Sequence, residues 1–310
     1  MSIWVCGEVL IDLLPATPER IAVVGGGPAN TAKALARLGH DVYFIDGISS
    51  DNYGITARDQ LSADGVKLDL VNSSDKPTCL AIVSIGEDGG ATYEFKIEGT
   101  ATFDFSLGWL PDPARYKPKV LHIGTLVTAI EPSASVLYDW AISVAEFAPI
   151  VFDPNVRPSV MGDRDLYEAA VEKWAAISSV IKVSDEDLAW LFPGQSIESI
   201  AQRWIKDGVA LVVITRGADG AIGFTENGSE EVPGMKINVV DTVGAGDTVG
   251  AVIVEAIVEG GILSLQGAAL KATLERATHA AAITCSRKGA EPPYKHELVR
   301  AHLGSSSTIN

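Results

Sequence analysis

The sequence predicts an α/β protein built on a doubly wound, mostly parallel β-sheet flanked by helices. Short apolar runs alternate with longer stretches of helical periodicity, which is the pattern of parallel βαβ units. Glycines follow several of the helical stretches, at the point where a left-handed residue would end each helix. Hydrophobic residues make up 47% of the 310 residues and charged residues 21%, so the chain can bury a core and is not disordered.

The predicted elements follow from these patterns in chain order. Apolar runs predict strands at residues 3–6, 42–45, 120–123, 150–152, 180–183 and 211–215. Helical periodicity predicts helices near residues 28–38, 53–63, 133–147, 166–178 and 197–206. Pro28 suits a first helical position, and Gly39, Gly65 and Gly208 suit C′ positions. A strand-like run at residues 237–240 then precedes a last, almost wholly apolar helix.

Two β-rich stretches, residues 9–27 and 78–103, interrupt the alternation. Residues 82–95 have the pattern of a hairpin with a glycine-rich turn. An antiparallel hairpin within a parallel α/β chain predicts a small lid over the strand ends, where it would exclude water from a reaction. We therefore expect one domain over residues 1–303, with this lid, and a disordered tail at residues 304–310. An exposed lid edge would also allow a homodimer.

Composition narrows the class of partner. The net charge of −16 argues against a nucleic-acid groove or an anionic membrane, because both require basic surfaces. The three cysteines, Cys6, Cys79 and Cys285, form no C-x-x-C and indicate reduced thiols. The N-terminus lacks a basic region, and there is no run of 18 apolar residues, so we expect a cytoplasmic protein.

The most informative segment is Asp-Thr-Val-Gly-Ala-Gly-Asp at residues 241–247, which leads into the apolar helix. A first turn of Gly244, Ala245, Gly246 and Asp247 would present backbone N–H groups without side chains that block approach, which suits an anion. The alternative is that Asp247 is a capping carboxylate and the glycines only allow a tight turn. The segment is neither a P-loop nor a dinucleotide fingerprint, because the glycine spacing differs from both.

This segment resembles the C-terminal signature of the PfkB (ribokinase-like) carbohydrate kinase family. Residues 25–39, Gly-Gly-Gly-Pro-Ala-Asn-Thr-Ala-Lys-Ala-Leu-Ala-Arg-Leu-Gly, resemble the N-terminal signature, and the resemblance covers residues 3–293. Residues 7–15 and 152–158 resemble fructokinases most. The resemblance implies a ribokinase-like fold and ATP-dependent phosphorylation of a small sugar, with D-fructose to fructose 6-phosphate as the first reaction to test. The alternatives are a kinase for 2-keto-3-deoxygluconate or ribose, and a non-catalytic sugar-binding relative.

By this resemblance, Asp247 is the catalytic base, and the N–H groups of Gly244, Ala245 and Gly246 form the anion hole. We expect the helix dipole to keep the pKa of Asp247 low. The sugar ligands implied are Asp12, Gly26, Gly27, Asn30 and Arg157. Asn30 could instead be a polar residue of a helix start, and Arg157 could form a salt bridge with Asp153 or Asp163. Sugar specificity is expected to depend on residues 93–96 and Phe103.

The resemblance also implies the nucleotide and metal sites. The residues implied for ATP are Thr215, Gly217, Gly220, Thr278 and Gly289. Relatives often have Asn where this chain has Thr278. The family's Asn-x-x-Glu motif, linked to Mg²⁺, aligns with Ser184–Asp187, so Asp187 would hold Mg²⁺ through water; the alternative is a capping box between Ser184 and Asp187. Asp241, Val243 and Gly289 are implied as a site for a monovalent cation such as K⁺.

Overall fold

The computed structural model describes residues 2–16, 18–85 and 91–298. Within these ranges, the strands form an eight-stranded sheet, a four-stranded sheet and a two-stranded pair. The strands are β1 (Ile3–Cys6), β2 (Leu10–Leu14), β3 (Ile21–Gly25), β4 (Val42–Ile45), β5 (Gly47–Ser49), β6 (Asn72–Ser74), β7 (Leu80–Ile85), β8 (Ala91–Lys96), β9 (Val120–Gly124), β10 (Ile150–Asp153), β11 (Val180–Ser184), β12 (Leu211–Thr215), β13 (Ala221–Thr225) and β14 (Gly228–Val232).

The helices differ in how their first turns are capped. They are α1 (Gly27–Arg37), α2 (Asn52–Ala63), α3 (Pro113–Tyr116), α4 (Ser133–Ala145), α5 (Arg164–Ala175), α6 (Asp185–Leu191), α7 (Ile197–Lys206), α8 (Ala245–Gly260) and α9 (Gly267–Cys285). The first turns of α2, α5 and α7 are capped by side-chain oxygens of Asp51, Asp163 and Ser196, respectively. By contrast, α1 and α8 begin after Gly26 and Gly244 without a side-chain cap. Their first-turn N–H groups are therefore not occupied by a capping side chain.

The large sheet confirms the predicted fold class. Its strand order is β14-β13-β12-β11-β10-β9-β1-β4, and every pair from β12 to β4 is parallel, whereas β13 and β14 pair antiparallel. The chain passes from β1 to β4 on one side and reaches β9 on the other, so the order reverses at β1. In open α/β sheets, ligands bind at the carboxyl ends of strands beside such a reversal.

Alternating residues of the parallel strands face two separate apolar cores. Trp4, Ile123 and Phe152 pack in one core with residues of α4, α5, α6 and α7. Val5 and Val151 pack in the other with residues of α1, α2, α8 and α9. Complete burial of one such Val, Ile or Phe side chain contributes about 1.5–3 kcal/mol. This two-sided burial explains why the parallel strands are near-continuous apolar runs in the sequence.

The small sheet has the order β3-β2-β7-β8, and the chain enters it from the carboxyl end of β1. β2 begins four residues after the end of β1, and β3 is followed at once by α1. β7 and β8 pair antiparallel, as the predicted hairpin requires. The predicted turn of that hairpin, at residues 86–90, and the predicted tail, at residues 304–310, lie outside the described residues.

One predicted strand is wrong. Residues 237–240 form no strand, although their sequence is rich in β-branched residues. Instead, the N–H groups of Val240 and Asp241 both donate to the carbonyl of Cys285, at 2.8 and 3.2 Å. Val239 and Val240 are more than half exposed, so the apolar pattern here does not reflect burial in a sheet. In the described part of the chain, no helix is both long and apolar enough to cross a membrane.

Candidate active site

The first turn of α8 requires both of its glycines. Gly244 has a φ of 79°, and a Cβ there would lie 2.7 Å from the Cβ of Ala290. A Cβ on Gly246 would lie 2.9 Å from Nζ of Lys182. The N–H of Ala245, one of the three predicted anion-hole donors, already donates to the carbonyl of Thr242 at 3.3 Å. An anion at this turn would therefore compete with a long internal hydrogen bond for that donor.

Asp247 is buried, with 8% of its surface exposed. Its Oδ2 accepts a hydrogen bond of 2.9 Å from Nδ2 of Asn30 in the first turn of α1. Burial raises the pKa of Asp247 to about 6, while the charges of Lys182 and Arg157 and the hydrogen bond from Asn30 oppose that rise. The expectation of a low pKa was wrong, because the loss of hydration outweighs the helix dipole at a buried carboxyl.

Polar atoms of Asn155, Thr125 and Asp247 converge beside Gly27. A Cβ on Gly27 would lie 2.7 Å from Nδ2 of Asn155, 3.0 Å from Oγ1 of Thr125 and 3.3 Å from Oδ1 of Asp247. The absence of a side chain at Gly27 thus leaves a point that hydrogen-bonding groups surround on several sides. A hydroxyl placed near this point could both donate and accept hydrogen bonds.

Thr125 and Asn155 were not predicted from the sequence. Both have left-handed backbone, with φ of 65° and 39°, a strain that often accompanies a functional site. The carboxyl of Glu8 is buried, which raises its pKa to about 7, while the nearby backbone N–H groups of Leu126 and Val127, in the turn that begins at Thr125, oppose that rise. The available signal was positional, because Thr125 directly follows β9 and Asn155 lies two residues after the end of β10, the neighbouring parallel strand.

The predicted sugar residues Asp12, Gly26 and Asn30 lie on β2, in the turn before α1 and on α1 itself. Asp12 is on β2, and a Cβ on Gly25 of β3 would lie 2.3 Å from its Oδ2. Burial raises the pKa of Asp12 to about 6, and Arg157 partly opposes this. Gly26 has a φ of 108°, and a Cβ there would lie 2.3 Å from the carbonyl oxygen of Glu8. Asn30 is not merely a polar residue of a helix start, because its amide contacts Asp247.

Arg157 does not form either of the alternative salt bridges. Among the described residues, its guanidinium is paired with neither Asp153, which binds Lys182, nor Asp163, which caps α5. Its Nη1 instead donates to the carbonyls of Asn155 and Val156, at 3.1 and 3.0 Å. Arg157 lowers the pKa of both Asp12 and Asp247, so its positive charge lies near both carboxyl groups.

The residues predicted for the nucleotide have structural contacts of their own. Thr215 ends β12, and the 3₁₀ turn Gly217–Asp219 follows. A Cβ on Gly220, where φ is 90°, would lie 2.1 Å from the carbonyl oxygen of Val232, so this glycine is required by packing alone. Thr278, on α9, donates to the carbonyl of Glu275 at 3.1 Å within its own helix.

Asp241, Val243 and Gly289 lie together. Asp241 accepts a hydrogen bond of 3.1 Å from the N–H of Val243 through Oδ1 and one of 2.8 Å from the N–H of Gly289 through Oδ2. Gly289 has a φ of 72°. The carboxylate thus ties the segment before α8 to the loop after α9.

Asp187 belongs to a capping box. The N–H of Asp187 donates to Oγ of Ser184 at 3.0 Å, and the N–H of Ser184 donates to Oδ2 of Asp187 at 3.4 Å. Oδ1 of Asp187 also accepts a hydrogen bond of 3.2 Å from the N–H of Val156. Asp187 therefore joins the start of α6 to the loop that holds Asn155 and Arg157.

A separate cavity of about 610 Å³ lies beside the small sheet, and Phe103, Ile130 and Met161 form part of its apolar lining. An ion pair of 2.8 Å between Lys76 and Asp104 lies at this cavity. Phe103, predicted to affect sugar specificity, thus faces a space that neither Asp247 nor Gly27 lines.

Comparison with known proteins agrees with this architecture. The profile of the family described as "pfkB family carbohydrate kinase" matches residues 2–297. A fructokinase of Rhizobium leguminosarum bv. trifolii is 36% identical over 257 residues, covering 81% of this chain and 78% of that protein. A crystal structure of fructokinase from Xylella fastidiosa superposes with a TM-score of 0.89 at 23% identity and covers 97% of this chain and 99% of that one, which shows a common fold.

A second solved structure has higher sequence identity. It is a double mutant of fructokinase from Vibrio cholerae O395 in its fructose-, ADP- and potassium-bound form, with a TM-score of 0.85 and 26% identity over 96% of this chain and 97% of that one. The fold, the order of both signatures and the match along residues 2–297 lead to one assignment. The chain has the ribokinase-like fold, belongs to the pfkB family of carbohydrate kinases and is a sugar phosphotransferase.

Proposed function

We propose that the chain transfers the γ-phosphoryl group of ATP to D-fructose and forms fructose 6-phosphate and ADP. The observation that carries the proposal is the convergence of Asp247, Asn155 and Thr125 beside Gly27, at the uncapped first turn of α8. The similarity to fructokinases, one of them bound to fructose and ADP, favours this sugar and this nucleotide. Kinases for ribose or 2-keto-3-deoxygluconate are the alternatives, and the presence of Asp247, Gly244 and Gly246 argues against a non-catalytic relative.

In the proposed reaction, the sugar hydroxyl lies beside Gly27 and its proton passes to Asp247. The hydroxyl oxygen bonds to the γ-phosphorus as the bond from that phosphorus to the bridging oxygen of ADP breaks. The N–H groups at the start of α8 would stabilise the negative charge of the transferring group. Asp12, Gly26, Asn30 and Arg157 would hold the other hydroxyl groups. A base with a pKa near 6 is well matched to proton transfer near neutral pH.

We further propose that Thr215, Gly217, Gly220, Thr278 and Gly289 lie along the ATP site. When Mg²⁺ is bound, it neutralises charge on the phosphate oxygens. Asp187 fits a water-mediated role better than direct coordination, because its two oxygens already accept backbone hydrogen bonds. Asp241 fits a K⁺ site, since its carboxylate lies among the backbone groups of Val243 and Gly289.

A homodimer would pair along β3 or β8, the edges of the small sheet, and a molar mass measured in solution would test it.

An assay of ADP release over a panel of sugars tests the proposed substrate. We expect the highest kcat/KM with D-fructose, lower values with ribose and 2-keto-3-deoxygluconate, and higher rates in K⁺ than in Na⁺ buffers. A higher kcat/KM with either other sugar would replace fructose as the substrate. No ADP release with any sugar would overturn the proposed reaction itself.

The proposed base predicts a pH dependence. Because a base must be ionised, kcat/KM for the sugar should fall as the pH drops through about 6, the value to which burial raises the pKa of Asp247. The pKa of Asp12 is also raised to about 6, so two protons should contribute and the logarithmic slope should approach about two. The Asp12→Asn variant should leave a slope near one. A wild-type profile that stays flat to about pH 5 would contradict both assignments.

A further inference from the structure

Three polar side chains line the α8 face of neighbouring strands in the large sheet: His122 on β9, Asp153 on β10 and Lys182 on β11. Apolar neighbours flank each of them, and all three are at most 4% exposed. Nζ of Lys182 lies 2.9 Å from Oδ2 of Asp153. Within the described residues, neither ring nitrogen of His122 forms a hydrogen bond, and Oδ1 of Asp153 accepts none. This row was not predicted from the sequence.

The ammonium of Lys182 lies directly beneath the first turn of α8. A Cβ on Gly246 would come within 2.9 Å of Nζ, and Asp247 is the next residue along the helix. A buried cation beneath the positive end of a helix is unfavourable unless negative charge compensates it. Asp153 and Asp247 supply that charge, and both raise the pKa of Lys182 against the effect of burial. An apolar pair in place of Lys182 and Asp153 would stabilise a sheet at least as well, so packing does not account for the ion pair.

We propose that Lys182 is a positioning residue of the phosphoryl-transfer site, where its buried ammonium beneath Gly246 keeps the Asp247 carboxyl ionised. The proposal rests on the proposed function, in which Asp247 is the base. Lys182 acts on Asp247 by charge, because within the described residues its ammonium donates a hydrogen bond to Asp153 and none to Asp247.

The electrostatic surroundings of Asp247 support this role. The charged groups that face it are Lys182 on β11, Asp153 on β10 and Arg157 in the loop after β10, and α1 contributes the neutral amide of Asn30. Lys182 opposes the effect of burial most strongly, and Asp153 adds to that effect. From β9, His122 lies 3.5 Å from a Cβ built on Gly250, nearly one turn further along α8. Burial lowers the pKa of His122 to about 4, so it carries no charge near neutral pH.

The test is the pH dependence of kcat/KM for ATP at saturating fructose, measured for wild type and three single variants. The acid limb is the pH range over which kcat/KM falls on acidification. Lys182→Met should move this limb to a pH higher by about one unit or more, because the nearby positive charge is lost. Asp153→Asn should move the limb downward, since a nearby negative charge is lost. Lys182→Arg, which keeps the charge, should keep the wild-type limb. These opposite directions are not expected of residues that only support the fold.

A double variant controls for misfolding. Lys182→Met alone leaves the Asp153 carboxyl buried without a partner and could unfold the chain. Lys182→Met/Asp153→Asn buries a neutral pair and should still show an upward limb, smaller than that of Lys182→Met, because Lys182 outweighs Asp153 at Asp247. If the limb of this folded double variant stays at the wild-type pH, the proposal is overturned. If wild type has no acid limb, or Asp247→Asn keeps its kcat, the proposed base fails instead, which is a distinguishable result.

Discussion

The Asp247→Asn variant is expected to lose about 10²- to 10⁴-fold in kcat, the contribution typical of a positioned general base. Its affinity for ATP should change by less than about threefold, since the substitution removes a proton acceptor and leaves the glycines of the turn unchanged. The amide can still accept a hydrogen bond from Asn30, which now binds Oδ2 of Asp247 at 2.9 Å. Steady-state kinetics with fructose and a direct titration with ATP would measure both quantities.

The same substitution should raise the melting temperature at about pH 8. The pKa of Asp247 is raised in the folded state, so the proton stabilises the fold below the unfolded pKa near 4, and this stability is lost as the pH rises through about 6. At pH 8 the ionised Asp247 therefore destabilises the protein by on the order of 1–3 kcal/mol, a penalty that a neutral amide avoids. A variant that is inactive but more stable would be the expected signature of a functional buried charge.

Glu255 provides a matched control on the same helix. It is also buried, but Oε2 pairs with Nε of Arg276 at 2.7 Å, and its pKa is lowered by His40 and Arg276. Glu255→Gln should therefore lower the melting temperature and leave kcat unchanged, the reverse of Asp247→Asn. If Asp247→Asn instead retains more than about a tenth of the wild-type kcat, Asp247 is not the base.

The parallel strands of the large sheet could be predicted from the sequence because burial on both faces of the sheet produces continuous apolar runs. The strands at residues 3–6, 42–45 and 211–215 have the predicted bounds, and those predicted at residues 120–123, 150–152 and 180–183 each extend one residue further. The glycines predicted as C′ residues, Gly39, Gly65 and Gly208, all have positive φ. The error at residues 237–240 shows the limit of that logic, because an apolar run there is exposed and bonded to the end of α9.

The residues of the site were predictable only where they lie in a segment that resembles the kinase family. Asn30 and Asp247 are 217 positions apart, and the signatures alone related them before the structure showed their contact. Thr125 and Asn155 lie outside both family signatures, although residues 152–158, which include Asn155, resemble fructokinases. The two residues come together because β9 and β10 are adjacent and parallel. The pKa of Asp247 could not be predicted from its position at a helix start, since the direction of the pKa shift is set by the burial of the carboxyl in the folded protein.

Gly27→Ala is expected to lower kcat/KM for the sugar by about 10²- to 10³-fold while the fold remains stable. The new methyl carbon would lie 2.7 Å from Nδ2 of Asn155 and 3.0 Å from Oγ1 of Thr125, in the space proposed for the acceptor hydroxyl. Gly27 is the first residue of α1 and has no positive φ, so its backbone accepts alanine, and Ala favours a helix over Gly by up to about 1 kcal/mol. Kinetics with varied fructose, ATP titration and thermal unfolding together measure the effect.

Gly250→Ala is the matched control, because a Cβ there would make an ordinary contact of 3.5 Å with His122 within α8. It should keep the wild-type kcat/KM and should not lower the melting temperature. If Gly27→Ala binds ATP normally and unfolds no earlier than wild type, its loss of activity must come from the sugar side of the site. Asp247→Asn removes the proton acceptor without filling space, whereas Gly27→Ala fills space without removing a functional group. Loss of activity in both is the expected result if the hydroxyl lies between these residues, and full activity in Gly27→Ala would exclude that placement.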